Sequence, residues 1–235
     1  MQRILFVAIL LLSLMVCLTS PVWAGGLDDN NAGMAAATGG DNNEAIRLYT
    51  KAIASGELSR EDLSKVYNNR GNTWDDKGDY DKAIADYTRA IEIDPKNAKA
   101  YYNRGNTWDD KGDYDKAIAD YTKAIESTSD YAYAYYNRGH AWGKKGDYDK
   151  AIADYTRAIE INPKDADTCN SRGNAWYGKG DDDEAIADYT RAIEIDPEDA
   201  KAYYNRGNAW GKKGDLDKAK ADRDKAKEIN PSLYR

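Results

Sequence analysis

The triplet Asn/Ser-Arg-Gly recurs at Asn69-Arg70-Gly71, Asn103-Arg104-Gly105, Asn137-Arg138-Gly139, Ser171-Arg172-Gly173 and Asn205-Arg206-Gly207, each 34 residues after the last, with no insertion or deletion. A fixed period of this length specifies stacked supersecondary units in place of one globular core. Each unit buries its apolar face against its neighbours, so the stack grows in one dimension. Such a stack offers a partner an extended concave surface.

Within a unit the apolar spacing is helical. Ala83, Ile84, Tyr87, Ala90 and Ile91 fall at i, i+1, i+4, i+7 and i+8, one stripe of a helix. Asp79, after Gly78, stands where a carboxylate caps free backbone N–H groups, and Asp81 adds negative charge to the first turn. Asp94-Pro95 ends the helix, because proline cannot continue it. A preceding helix carries Tyr67, Arg70, Gly71 and Trp74 on one side. A glycine inside a helix costs about 1 kcal/mol relative to alanine. Its return in every unit predicts two helices that cross too closely for a side chain.

This pattern resembles the tetratricopeptide repeat family, in an exported bacterial-type form. Tyr67, Arg70, Gly71, Trp74, Ala83, Tyr87 and Pro95 stand on the family's Trp-x2-Leu-Gly-x2-Tyr, Ala-x3-Phe and Pro positions. The resemblance covers five units: residues 64–97, 98–131, 132–165, 166–199 and 200–233. It implies an all-α fold, a right-handed α-solenoid of stacked antiparallel helix pairs whose first helices line the concave face. Three features depart from the family. Arginine replaces the interior leucine in every unit, Ser129 replaces the closing proline of the second, and Cys169 replaces the first aromatic of the fourth. An unpaired buried arginine is strongly destabilising. The aspartates 16 residues later, Asp86, Asp120, Asp154, Asp188 and Asp222, are therefore expected to pair with the five arginines.

The ends differ from the middle. Residues 41–63 read as a partial, degenerate repeat, in which Ala45, Ile46, Tyr49, Ala52 and Ile53 match a second helix and Ser59-Arg60-Glu61-Asp62 a capping box. The Gly/Ala-rich stretch Asn31 to Gly40 carries little apolar stripe, so residues 25–40 are expected to be flexible, with the helix there frayed or absent. In the fifth unit Lys220, Arg223 and Lys227 replace Ile, Tyr and Ile, the polar outer face expected of a terminal cap.

Residues 1–24 read as a secretory signal peptide: Arg3, an apolar run from Ile4 to Leu18, then Val22-Trp23-Ala24. The expected location is periplasmic or secreted after cleavage near Ala24. The alternatives are a retained anchor and a membrane-anchored lipoprotein modified at Cys17, and the membrane enters only in these ways. The formal net charge is −7, and losing Arg3 makes the chain more acidic. That excludes nucleic acid and anionic lipid surfaces as partners, since both need a basic footprint. Cleavage leaves one cysteine, Cys169, at an interior aromatic position, hence no internal disulfide.

Nothing in the chain assembles an enzyme's constellation. There is one histidine, His140, with no metal-spaced cluster and no phosphate loop. No metal and no cofactor is expected, and the acidic run from Asp75 to Asp81 lacks the spacing of a calcium loop.

The groove expected from the resemblance is more informative. The positions bracketing Arg-Gly supply Asn69, Asn72, Tyr102, Asn103, Asn106, Tyr136, Asn137, His140, Asn174, Tyr204, Asn205 and Asn208. Amides donate and accept at once, which suits a peptide backbone of any sequence, and tyrosines add stiff contact area. Asp75, Asp76, Asp109 and Asp110 make the N-terminal half acidic, whereas Lys144 and Lys212 stand further on. Some relatives grip a C-terminal carboxylate with lysines four residues before an asparagine. The matching places here, Asn68, Tyr102, Tyr136, Asn170 and Tyr204, hold none. The expected function is a non-enzymatic scaffold binding an extended protein or peptide segment. The alternative is a structural part of a cell-envelope complex that uses its flanks or ends.

Overall fold

The structure, a computed structural model, describes residues 25–234. Its regular elements are α1 (Gly26–Thr38), α2 (Asn42–Ala54), α3 (Arg60–Asp76), α4 (Tyr80–Ile93), α5 (Ala98–Asp110), α6 (Tyr114–Ser127), α7 (Ala132–Lys144), α8 (Tyr148–Ile161), α9 (Ala166–Lys179), α10 (Asp182–Ile195), α11 (Ala200–Lys212) and α12 (Leu216–Ile229), with a closing 3-10 turn at Pro231–Tyr234. No strand occurs among the described residues, and none of their helices is long and apolar enough to cross a membrane. The expected signal peptide, and Cys17 with it, lies outside the described residues.

The turn inside each pair is built by two residues. A glycine with positive φ, as at Gly112 (+77°), ends the first helix, and the next residue's N–H reaches back five places, Asp113 to the Trp108 carbonyl at 2.9 Å. Only glycine takes that backbone conformation without strain. The same aspartate then starts the second helix. Asp113, Asp147 and Asp215 accept the N–H of Lys116, Lys150 and Lys218. Asp79 holds the equivalent place without a side-chain cap bond and instead meets the Lys82 ammonium at 2.6 Å.

The glycine inside each first helix marks the predicted close crossing. A Cβ on Gly71 would sit 2.6 Å from the Tyr87 ring, and one on Gly105 or Gly173 2.7 Å from Tyr121 or Tyr189. The predicted ion pairs also form. Arg104 grips Asp120 through two bonds (Nε 2.7 Å, Nη2 2.8 Å), and Arg70, Arg138, Arg172 and Arg206 grip Asp86, Asp154, Asp188 and Asp222 likewise. The third nitrogen crosses the junction: Arg104 Nη1 donates to Thr88 Oγ1 of the preceding unit at 2.9 Å. Its ring-facing side lies over Tyr101, 5.8 Å from the centroid. One guanidinium therefore ties both helices of its own unit to the second helix of the unit before.

Successive first helices touch one another (α1 with α3, α3 with α5, and so on), whereas second helices touch only first helices. The first helices therefore lie on the inside of the curve. The core is a series of small clusters at the junctions, such as Ile159, Cys169, Ala192, Ile193 and Ala202 across four helices. Cys169 is fully buried there, and burial pushes its thiol above the ordinary range. Positions 220, 223 and 227 of α12 are exposed.

The N-terminal expectation is corrected. Residues 26–38 form a helix, α1, packed on α2. Polar and small-residue contacts hold it where an apolar stripe is missing. Lys51 reaches the buried Asp29 at 2.8 Å, Asn69 donates to Asn30 at 3.2 Å, and a Cβ on Gly33 would lie 2.7 Å from the Tyr49 ring. The glycine and alanine content that suggested fraying is what lets α1 approach closely.

One junction lacks the cap of the others. Asn97, Asp165 and Asp199 accept N–H groups at the starts of α5, α9 and α11, but Tyr131 at the start of α7 accepts none and stacks on Tyr102 (4.9 Å). Ser127-Thr128-Ser129 also replaces Ile-Asp/Asn-Pro there. A missing cap is worth about 1 kcal/mol, and removing a rigid turn residue adds to it. Amide hydrogen exchange is expected to run about fivefold or more faster at residues 127–131 than at 94–97 and 162–165. Equal protection at the three junctions would contradict this reading.

Candidate functional site: the concave face

The face lined by α3, α5, α7, α9 and α11 carries the amides on one side of each helix, and these join from unit to unit. Asn103 donates both amide hydrogens, to Asn68 Oδ1 (3.0 Å) and Asn72 Oδ1 (2.8 Å). Asn137 does the same to the Tyr102 hydroxyl (3.0 Å) and Asn106 Oδ1 (2.9 Å), and Asn205 reaches Asn170 Oδ1 (3.1 Å). From beneath, the buried tyrosines fix the other set. Tyr87, Tyr121 and Tyr189 donate to Asn72, Asn106 and Asn174 Oδ1, each at 2.8 Å, and Arg223 donates to Asn208 Oδ1 at 3.0 Å. Asn69 meets Asn30 on α1, Tyr136 shares a hydrogen bond with Ser171 (3.3 Å), and Tyr204 sits half-buried on α11.

Much of the amide chemistry is thus spent on joining repeats. What it leaves is regular. Asn103, Asn137 and Asn205 keep an amide oxygen with no partner among the described residues, and Asn72 and Asn174 keep an amide nitrogen with none, whereas the Asn106 amide faces the Tyr102 hydroxyl. Donors and acceptors alternate along the face, held in place by the bonds behind them.

The charges are sorted by their partners. Asp75 is half-buried and accepts the Thr107 hydroxyl at 2.7 Å. Burial pushes its carboxyl above the usual range, the Thr107 bond opposes that, and neighbouring Asp110 and Asp76 add to it. Asp109 has Ala141 where Asp75 has Thr107, so its Oδ1 is buried without a partner, while Oδ2 lies 3.6 Å from His140 Nδ1. Asp76, Asp110 and Lys144 are exposed and form no ion pair among the described residues. Lys212 is tied to Asp182 (2.8 Å) and lies over the Tyr177 ring, so it is not the open groove cation expected from the sequence. At the opposite helix ends Arg60, Lys65, Lys96 and Lys99 outnumber Glu61 and Asp94 around a cavity of about 830 Å³ shared with Asn68 and Asn69, and Lys65 is paired with Glu61 at 2.6 Å. Charge therefore changes across the groove as well as along it.

Sequence reasoning missed three contributors. Asn30 belongs to the helix expected to be frayed. Tyr131 and Tyr133 break the repeat at places where other units have Asn or Asp and Lys or Asp; the first stacks on Tyr102 and the second is 68% exposed. Comparing units column by column would have singled out both.

The tetratricopeptide repeat signature matches residues 98–127, 132–165 and 200–233, and a related TPR repeat signature matches 71–107 and 173–214. No curated protein sequence matches the chain. Among solved structures, YrrB, described as a TPR protein with an unusual peptide-binding site, is 30% identical with a TM-score of 0.67, over 78% of this chain and 92% of its own. MamA is 32% identical with a TM-score of 0.67, over 69% of this chain and 95% of its own. A tetratricopeptide repeat protein from Parabacteroides merdae shares the fold at 22% identity, with a TM-score of 0.71 over 84% and 77%.

Proposed function

This chain belongs to the tetratricopeptide repeat family, and from that premise we propose that it is an exported scaffold that holds an extended segment of a protein partner in its concave face. Binding and positioning are its whole mechanism. The observation that carries the reading is the alternation of free amide oxygens and nitrogens along the first helices. An extended backbone presents N–H and C=O groups in turn, so such a face serves it whatever its side chains. YrrB, similar over most of its length, is described as having an unusual peptide-binding site, which supports peptide binding by this chain. Export rests on Arg3 and the apolar run of Ile4 to Leu18, and it places the partner in the periplasm or outside the cell.

The unpaired acids suit a ligand with Lys or Arg near units one and two. Asp75, Asp76, Asp109 and Asp110 sit in the last turns of α3 and α5, where the helix dipole disfavours anions. A docked cation would relieve that repulsion. Mature wild-type protein and an Asp76→Asn, Asp110→Asn, Tyr133→Ala variant, all three at exposed positions, are compared as baits against an envelope fraction. The partner is expected to bind the wild type alone. A partner retained by both would favour the structural reading, in which flanks or ends make the contact. With the partner in hand, Asp76→Asn with Asp110→Asn should slow association about three- to tenfold at low salt and little at high salt.

A further inference from the structure

The third unit breaks the amide pattern and opens a pocket. Where other units have Asn72, Asn106, Asn174 and Asn208, it has His140, and where units one and two have Asp75 and Asp109 it has Gly143. His140 turns its Nδ1 toward Asp109, so the Tyr155 hydroxyl, whose counterparts Tyr87, Tyr121 and Tyr189 all reach an asparagine, has no partner among the described residues. Tyr155 is otherwise buried, 4% exposed. It lines a cavity of about 280 Å³ with His140, Gly143, Lys144, Ser171 and Asn174.

The polar groups on that wall other than His140 can donate. Lys144 has no ion pair, Asn174 keeps its amide nitrogen because its oxygen is taken by Tyr189, and Tyr155 keeps its proton because burial raises its pKa. Ser171 adds a hydroxyl. No carboxylate lines the cavity; Asp109 meets the far nitrogen of His140 and stays outside it. We propose that this pocket receives a carboxylate of the bound segment, held by the Lys144 ammonium, the Tyr155 hydroxyl and the Asn174 amide. Charge-assisted hydrogen bonds of this kind are the strong ones. Gly143 provides the space, and a carboxylate side chain in its place, as in units one and two, would fill the pocket with the wrong charge. The proposal rests on the peptide-groove reading and gives the ligand an acidic anchor at the third unit.

His140 is the only histidine, so its ring protons report on the pocket without assignment of the spectrum. The purified protein is titrated with N-acetylglutamate N-methylamide, its glutamine counterpart and N-acetylalanine. The glutamate compound should shift the His140 Hε1 resonance saturably with Kd of about 1–10 mM, and the glutamine compound about fivefold more weakly or not at all. Binding by N-acetylalanine alone would make the anchor a chain terminus; binding by the glutamate compound makes it a side chain. Lys144→Gln, at an exposed site, should weaken binding about tenfold without moving the melting temperature, and Tyr155→Phe about threefold. Equal shifts from the glutamate and glutamine compounds, no carboxylate shift up to about 50 mM, or full affinity in Lys144→Gln would overturn the proposal. The titration needs no protein partner. Its failure alongside a partner that still depends on Asp76, Asp110 and Tyr133 removes the pocket and leaves the groove.

Discussion

Asp120→Ala, which strips the carboxylate from Arg104 and leaves the guanidinium in place, is expected to lower stability by about 3–5 kcal/mol. The side chains of Arg104 and Asp120 are only 19% and 8% exposed, so solvent screens the pair little. The cost is the desolvation of a charge left without its bidentate partner, more than the loss of two hydrogen bonds. Arg104 also holds Thr88 of the preceding unit, so the damage falls on a junction. In a one-dimensional array a weakened junction uncouples the halves. Urea unfolding should therefore lose cooperativity and show a lower midpoint, with the break between the first and second full units. Arg104→Leu paired with Asp120→Ala restores the family's leucine and leaves no buried charge; it should recover most of the loss. The exposed Lys123–Glu126 pair is the control, and its removal should leave the midpoint where it was. If the single and double variants prove equally unstable, a lost packing contact is the cause and the ion pair is not.

The arginine–aspartate pairs were legible because both partners recur in register within a unit, 16 residues apart, and burial of one demands the other. The glycine crossings were legible for the same reason. Gly33 and Tyr49 share that 16-residue spacing with Gly71 and Tyr87 and are in contact in the same way. The sequence therefore held the signal for α1, but the signal is steric and the missing apolar stripe outweighed it. The groove was half legible. Asparagine spacing placed Asn72, Asn103 and Asn106 on one face. It could not say that Asn103 spends both hydrogens on residues 31 and 35 places back, because those distances are set by how one unit sits on the next. The same is true of Asp75 with Thr107 and Lys212 with Asp182, pairs that only the stacking of units brings together. Tyr155 was invisible because its interest lies in a bond that its counterparts make and it does not.

Gly105→Ala is expected to destabilise the protein by about 1–3 kcal/mol, although alanine is the better helix former by about 1 kcal/mol. The new Cβ would lie 2.7 Å from Tyr121 Cε1, and Tyr121 cannot swing aside. It is 1% exposed, its ring packs against Tyr102 at 5.9 Å, and its hydroxyl is bound to Asn106. Gly139→Ala provides the comparison. Its nearest contacts are the Tyr155 ring at 3.1 Å and the Ala151 carbonyl oxygen at 3.2 Å, so the neighbours need give only a few tenths of an ångström, and that ring lacks the hydroxyl anchor. Gly139→Ala should therefore cost clearly less. Thermal melts of the two variants decide the matter, and a lower midpoint for Gly139→Ala would rule out the ring clash as the cause. The consequence reaches the concave face. Asn106 Oδ1 accepts from both Tyr121 and Asn137, so displacing the Tyr121 ring releases the amide that joins the second unit to the third. Gly105→Ala should therefore weaken partner binding even under conditions where the array stays folded. Gly139→Ala, whose tyrosine holds no amide, should leave the same ladder in place.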